Sequence, residues 1–416
     1  MKLTQVVKVE GDYKVLDNLA RIANGLYNSA LYESNQRYKK EHKFYFYYDF
    51  CSMLKENKLY VLLPSQTSQA VLQKVEGSIK SFIKLHKNTK NAGFPHYHKK
   101  DTPWVIPFKS QQIRIENNIL TVPMSMQYRK EKGVDHLDLK IPNLRYSGNV
   151  KYAEIYKSES GKWYASVVID VEEQPETSPK GSLYIDLGVK NLAAVYDGDK
   201  ATIYSGGMAS STERYRNKKN AEYQSRLSAI GKKTSKQKRQ DARKALQQLK
   251  QMFHSMTKTI VETAKNEGKG IVVGDLSHIR DGVHYNDNAN QKIHQWQFGE
   301  ITRQLFYKAK LLGVKVTKIS ERDTSRTCAL CGKEINGRVH RGLYRCKLYG
   351  KEFNADVNGV MNIMKRYLQI PLTKGSGIGV VGVLAHPAVY HWDEHKWRYD
   401  ANGRNEPLNR EEPPIL

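Results

Sequence analysis

Three of the chain's four cysteines, Cys328, Cys331 and Cys346, fall in one short stretch that closes on Asn354-Ala355-Asp356-Val357-Asn358-Gly359. Upstream, the apolar run Leu183-Tyr184-Ile185-Asp186-Leu187-Gly188 carries another acid. A charge inside an apolar strand is costly unless it is paired or metal-bound. The order acid, cysteine knuckle, acid therefore constrains the chain to a domain interrupted by a small cysteine-bearing insert. Taken singly, each acid has a plainer reading. Asp186 suits a turn toward Gly188, and Asp356 suits the N-cap of a last helix.

Around these motifs the apolar period changes repeatedly. Residues 1–10 read as a strand. From 13 to about 40, Leu16, Leu19, Ile22, Ala23, Leu26, Tyr27, Ala30 and Leu31 recur at helical spacing, and a second helix opens at Ser65. Residues 103–175 alternate apolar and polar in short runs, which predicts a small antiparallel β-barrel. After a linker the pattern becomes α/β, with strands predicted at 182–187, 191–196 and 200–205. A charged helical region follows at 212–266, broken near Gly231. Then come a strand at 270–273, a helix at 294–312, a strand at 314–319, the cysteine insert, and a helix at 356–367. The tail, 372–416, contains Gly375-Ser376-Gly377 and several prolines and reads as loose. Three strands, helix, strand, helix, strand, helix is the order of a ribonuclease H-like domain. Such domains hold two divalent ions between carboxylates for phosphodiester cleavage, and Mg²⁺ suits oxygen ligands.

Lys and Arg number 68 against 42 Asp and Glu, a formal charge of +26 over 416 residues. Such an excess destabilises a compact chain unless a polyanion neutralises it, so nucleic acid is the expected partner. Lys232, Lys233 and Arg239 lie in a helical hairpin with few acids nearby, and that hairpin is expected to face nucleic acid. No apolar run approaches the ~20 residues needed to span a bilayer. The N-terminus lacks the apolar core of a signal peptide, and four cysteines are too few for a disulfide framework. The expectation is a cytoplasmic protein, at the nucleoid when bound to DNA.

The motifs together resemble the insertion-sequence-encoded TnpB proteins, relatives of the type V CRISPR effectors. The carrying residues are Ile185-Asp186-Leu187-Gly188-Val189-Lys190-Asn191, Val272-Val273-Gly274-Asp275-Leu276, Ser325 to Gly332, and Asn354 to Gly359. The resemblance covers roughly residues 1–370. It implies a multidomain α+β protein: a helical recognition lobe (11–102), a β-barrel wedge domain (1–10 and 103–175), and a ribonuclease H-like RuvC domain (176–321 and 352–371) with an inserted cysteine finger (322–351). It also implies an RNA-guided DNA endonuclease, with a guide RNA from the transposon end and a double-stranded DNA target carrying a short adjacent motif. Ser65, Gln66 and Gln69 are the residues expected to meet that motif.

Two positions depart from the family pattern. Gly274 stands where the second motif usually carries Glu. Asp275 next to it points to the opposite face of a strand. Glu321, at the end of the following strand, is the candidate replacement, because adjacent strands lie about 4.8 Å apart. The expected catalytic and Mg²⁺-binding set is thus Asp186, Glu321 and Asp356. The alternative for Glu321 is a surface pairing with Arg322 or Arg326. The second departure is Tyr349, where a fourth cysteine would complete a Zn²⁺ site with Cys328, Cys331 and Cys346. Tyr349 weakens that site, although His340 is a conceivable fourth ligand. The loss at residue 274 also motivates a rival reading, an RNA-guided DNA-binding protein that does not cut. A third reading is an effector with a CRISPR-type guide.

Overall fold

The computed structural model describes residues 1–89, 92–277, 296–333, 338–340, 342–377 and 380–400. The chain divides into two compact units, Met1–Glu172 and Glu173–Leu416.

The first unit begins with β1 (Lys2–Lys8) and continues through four helices: α1 (Tyr13–Glu41), α2 (Tyr47–Leu54), α3 (Lys58–Val61) and α4 (Ser65–Asn88). Asp12 caps α1 by accepting from the Lys14 and Val15 N–H groups. The β-part follows as β2 (Ile106–Lys109), β3 (Arg114–Glu116), β4 (Ile119–Pro123), α5 (Met126–Lys132), β5 (His136–Lys140), β6 (Asn149–Lys157) and β7 (Trp163–Asp170). The expected barrel is instead two antiparallel sheets, ordered β1-β7-β6-β2 and β3-β4-β5. Among the described residues one bridge, Glu10 to Lys140, joins them. A turn of 3₁₀ helix at Ser110–Gln112 separates β2 from β3, so the ladder does not close there. One apolar core serves helices and sheets alike, from Leu16 and Leu26 through Val71 to Phe108, Leu120 and Val167. Phe44, Tyr45 and Tyr47 of the aromatic run pack against this core, while Tyr48 stands 83% exposed.

The second unit is built on β8 (Ser182–Asp186), β9 (Asn191–Tyr196), β10 (Ala201–Ser205), α6 (Gly207–Ser228), α7 (Lys236–Asn266), β11 (Gly270–Asp275), α8 (Phe298–Leu312) and β12 (Val316–Ser320). The insert holds β13 (Arg338–His340), β14 (Leu343–Arg345) and β15 (Glu352–Asn354). The chain then forms α9 (Ala355–Tyr367), α10 (Val381–Ala385), β16 (Ala388–Asp393) and β17 (Lys396–Tyr399). The main sheet runs β12-β11-β8-β9-β10-β16-β17. β8, β9 and β10 are antiparallel neighbours, whereas β11 lies parallel to β8 and β12 parallel to β11. The expected start of α8 at 294 falls outside the described residues.

Strand alternation sorts the side chains onto two faces. Leu183, Ile185, Ile271 and Val273 pack with Leu249, Phe253 and Ile260 of α7 and Ile301 and Leu305 of α8. Tyr184 and Val272 face the other way, with Val357, Val360 and Met361 of α9 and with Cys328, Leu330 and Cys346 of the insert. The sheet is thus covered on both sides, as its parallel strands β8, β11 and β12 require. α6 and α7 form the basic hairpin, with Lys232 and Lys233 exposed in the connection and Arg239 exposed on α7.

The tail expected to be loose is ordered in part. β16 pairs parallel with β10, and β17 closes a hairpin against β16. The reason is aromatic. Tyr204 of β10 lies 5.7 Å from Tyr390 and 5.1 Å from Trp397, ring centre to ring centre. Trp392 and Trp397 meet edge-on at 5.3 Å. Such rings bury large apolar area and gain from their geometry. Ending the chain at residue 386 is therefore expected to lower the thermal midpoint by at least about 4 °C, read by circular dichroism. An unchanged midpoint would show that the two strands add no stability.

Candidate active site and cysteine cluster

Asp186 is the last residue of β8 and lies two positions beyond Tyr184, so it shares the α9 face of the sheet. On β11, Val272 faces α9, and Gly274 follows it on that face. The ladder sets Val273 opposite Ile185 and Gly274 opposite Ile319. Glu321 comes two residues after Ile319, which also packs toward α9. The side chain of Glu321 reaches back over β11. A Cβ placed on Gly274 would fall inside the Glu321 carboxylate. Glu321 therefore occupies the space in which a side chain at 274 would sit.

The surface alternative for Glu321 is not what the structure shows. Arg322 pairs with Asp323 at 3.7 Å. Glu321 Oε1 is buried and has no hydrogen-bond partner among the described residues. Burial, reinforced by Asp275, raises its carboxyl to about 7. Asp275 itself is exposed, 3.7 Å from Lys318, and bonded to Ser277, as its strand parity requires. An open cleft lies beside Glu321, lined by Asp275, Lys318, Ser320 and Arg322.

Asp356 arrives from α9. Asn354, not Asp356, is the N-cap: its Oδ1 accepts from Asp356 N at 2.9 Å and Val357 N at 3.2 Å. Capping was the plainer reading of Asp356, and Asn354 performs it because its side chain can reach two N–H groups at the helix start. Asp356 is left free to accept from Asn191 Nδ2. One turn on, Gly359 passes so close to Asp186 that a Cβ there would strike Asp186 Oδ2. Burial first, then the charges of Glu321 and Asp356, push the Asp186 carboxyl well above its ordinary range. Asp186 is thus repelled by the other two carboxylates in a place that disfavours its own charge. The orphaned Glu321 oxygen and the two glycine cradles fit divalent-ion ligation. The carboxylates remain more spread than the thiols: among the described residues, only the cysteines bring three ligand atoms within 4.8 Å of one another.

Those thiols are Cys328, Cys331 and Cys346. Burial pushes the Cys328 thiol up to about 12. At Cys346 burial acts the same way, but N–H groups of Tyr349 and Leu348 and the neighbouring thiols outweigh it and hold the group below its ordinary value. Cys346 N also bonds Lys351 O at 2.8 Å, matching Cys328 N to Lys333 O at 2.9 Å. Both knuckles therefore keep their turns, although the second has lost its second cysteine. Tyr349 packs against the apolar layer of α9. The side chain of His340, the conceivable fourth ligand, lies outside the described residues. Cys51, remote in α2, is a half-buried free thiol.

Sequence reasoning missed the clamp between α9 and the insert. Asn358 Oδ1 accepts from Ala329 N at 2.7 Å, and its Nδ2 donates to Thr327 O at 2.9 Å. Asn362 donates to Thr324 O and Thr327 O at 2.8 and 2.7 Å. Lys365 donates to Ala329 O and Lys374 O at 2.8 and 2.9 Å. All three are buried. The signal was a polar stripe at spacings of four and three on a helix otherwise apolar toward the sheet. In the first unit, Ser65 is exposed. Gln66 donates to Gln111 at 3.0 Å, and Gln69 bonds the Tyr60 hydroxyl.

Family models match two stretches of the chain. One, described as a probable transposase (OrfB of IS605), matches residues 166–280. The other, the TNB domain of Cas12f1-like proteins, matches residues 298–363. A putative RNA-guided DNA endonuclease, InsQ of Escherichia coli, is 26% identical over 82% of this chain and 85% of its own length. The chain is thus similar in sequence to TnpB-like and Cas12f proteins. Cas12f1 of Sulfoacidibacillus thermotolerans, a CRISPR-associated endodeoxyribonuclease, is 27% identical over half of this chain and 51% of its own length. A solved Cas12f1–guide RNA–target DNA complex shares the fold: TM-score 0.56, 16% identity, 84% of this chain and 82% of that one. No helix among the described residues is long and apolar enough to cross a membrane.

The raised carboxyl gives a signed prediction. Glu321 moves from 4.5 to about 7 on folding. Between those values the folded state binds the proton and the unfolded state does not. Without divalent ions, that contribution to stability is full below 4.5 and is lost as pH rises to about 7. Glu321→Gln cannot titrate. In chelator, its thermal midpoint is expected to gain on that of the unsubstituted chain as pH climbs through this window. A pH-independent difference would refute the raised carboxyl.

Proposed function

We propose that this chain is an RNA-guided DNA endonuclease, using a transposon-derived guide RNA and cutting double-stranded target DNA beside a short motif. The observation that carries the reading is the interlock of Glu321 with Gly274. The carboxylate missing from the second motif is present in the same space, supplied by the next strand. The strand order β12-β11-β8-β9-β10, with α9 laid across β8 and β9, supports assigning the second unit to the RuvC type. The sequence relatives named as RNA-guided or CRISPR-associated endonucleases support the substrate class.

In this reading Asp186, Glu321 and Asp356 are the catalytic residues and hold Mg²⁺. Two such ions, when bound, activate water and stabilise the leaving oxygen of an in-line displacement. Asn191 fixes the rotation of the Asp356 carboxylate, and Gly359 lets Asp186 lie against the helix backbone. Lys318 and Arg322 offer positive charge to a phosphate entering the cleft beside Glu321. Lys232, Lys233 and Arg239 take phosphates along the hairpin. Along residues 207–250 the three acids are already engaged, Glu213 with Arg216, Glu222 with Lys219, and Asp241 with Tyr223. Cations far outnumber these three acids along the hairpin, which suits a polyanion. Of the three residues proposed to meet the DNA motif, Ser65 is the most open, since Gln66 and Gln69 already have protein partners. The non-cutting alternative was motivated by Gly274, and the position of Glu321 counts against it.

The test uses the chain purified with its co-expressed RNA, a matching plasmid and Mg²⁺. Glu321→Ala and Gly274→Ala are each expected to lower cleavage by more than about 100-fold, beyond the 10- to 100-fold typical of outer-shell losses. In the first the carboxylate is gone, and in the second it is displaced. The double variant Gly274→Glu/Glu321→Ala is expected to recover cleavage, because it returns a carboxylate to the same space. Guide-directed binding with no cutting by the unsubstituted chain would establish the non-cutting reading instead. Normal cutting by Glu321→Ala would remove Glu321 from the site.

A further inference from the structure

Lys365 is 2% exposed and has no carboxylate within ion-pairing distance among the described residues. A buried cation whose partners are only carbonyl dipoles is costly. Its ammonium sits on Ala329 O, the residue between Cys328 and Leu330, so it lies inside the first knuckle. The chain beyond α9 seals this place. Ser376 N bonds Ala329 O and Gly377 N bonds Leu330 O, at 2.9 and 3.1 Å. Gly332 and Gly375 sit so close to the backbones of Thr373 and Leu330 that neither position tolerates a Cβ. Water is therefore poorly placed to screen the lysine.

The charge that answers Lys365 can come from the thiols. Three thiolates around a divalent ion leave one net negative charge, and four leave two. One buried lysine balances the first arrangement and not the second. The cysteines fit this: their sulfurs lie within 4.8 Å of one another, against the roughly 3.8 Å that Zn–S bonds of about 2.3 Å imply for a tetrahedron. N–H groups of Leu330 and Cys331 aim at Cys328, and those of Leu348 and Tyr349 aim at Cys346. Tyr349 packs with the apolar layer, and among the described residues no fourth thiol, histidine or carboxylate joins the three cysteines.

We propose that Cys328, Cys331 and Cys346 hold a thiophilic divalent ion through three thiolates and one oxygen or nitrogen ligand, with Lys365 as the buried counter-charge. The site does not depend on the nuclease reading. The lysine is a positioning and charge-balancing residue, not a ligand. It makes three thiolates sufficient where the family pattern has four.

The decisive measurement is Zn²⁺ affinity of the reduced full chain, by competition with a chromophoric chelator, without Mg²⁺ or nucleic acid. The unsubstituted chain is expected to bind one ion tightly, and Cys346→Ser to lose it. Lys365→Gln keeps N–H donors for Ala329 O and Lys374 O but removes the charge. It is expected to bind at least about tenfold more weakly, while Lys365→Arg stays within about threefold. Equal affinity in Lys365→Gln would make the lysine a backbone staple and overturn the counter-charge. X-ray absorption at the zinc edge of the unsubstituted chain needs no variant. Three sulfurs and one oxygen or nitrogen support the proposal. Four sulfurs, no sulfur, or no bound ion overturn it.

Discussion

The constraint that organises the second unit is the mutual repulsion of Asp186, Glu321 and Asp356 at one end of its sheet. Each is carried by a different element: the end of β8, the residue after β12, and the first turn of α9. Burial and neighbouring charge oppose ionisation of Asp186, so nothing within the trio itself draws the three together. They must be held by the packing around them. Two glycines make the approach possible, Gly274 under Glu321 and Gly359 against Asp186. Asn191 ties Asp356 back to β9. The arrangement stores unfavourable charge in a rigid frame, as the proposed metal-binding role of these acids would require.

Helix α9 supplies most of that frame. Its first turn delivers Asp356, its second admits Asp186 at Gly359, and its buried polar stripe grips the loop that leads from Glu321 into the insert. Thr324 links the parts directly. Its N–H and hydroxyl bond Glu321 O at 3.1 and 2.7 Å, while its own carbonyl accepts from Asn362. The cysteine insert is therefore part of the support for Glu321. A disturbance of the thiol cluster has a short, hydrogen-bonded route to the carboxylate.

Much of this was legible in the sequence, and what was not has physical reasons. Asp186 stood out by its apolar strand, and Asp356 by its place directly after the cysteine insert. Strand parity alone excluded Asp275 and brought Glu321 within reach of position 274. The α/β order was visible because each apolar run was long enough to show its period. The β-part of the first unit was read as a barrel because alternation reports which faces are buried, not whether the last ladder closes. The strands β16 and β17 were hidden among turn residues; their evidence is aromatic, in Tyr390, Trp392 and Trp397, and only the nearness of Tyr204 turns those rings into a packing surface. Asn358, Asn362 and Lys365 looked like ordinary helix polarity, since nothing in a single chain says that a helix has carbonyls waiting on that side.

Gly274 and Glu321 also constrain each other in a way that neither shows alone. A glutamate at 274 would displace the Glu321 carboxylate from its present place, because a Cβ at 274 already overlaps it. With small residues at both positions the site has no third carboxylate. One carboxylate position can thus be filled in two ways: by an acid on β11 with room left by the next strand, or by glycine on β11 with an acid after β12. The sheet accommodates either because Gly274 and Ile319 are laddered neighbours and Glu321 lies one parity step beyond. A parallel pair of strands offers two backbone origins for one carboxylate position, so a gap in the motif on one strand does not empty the site. The glycine that looked like damage is the residue that makes room for its replacement.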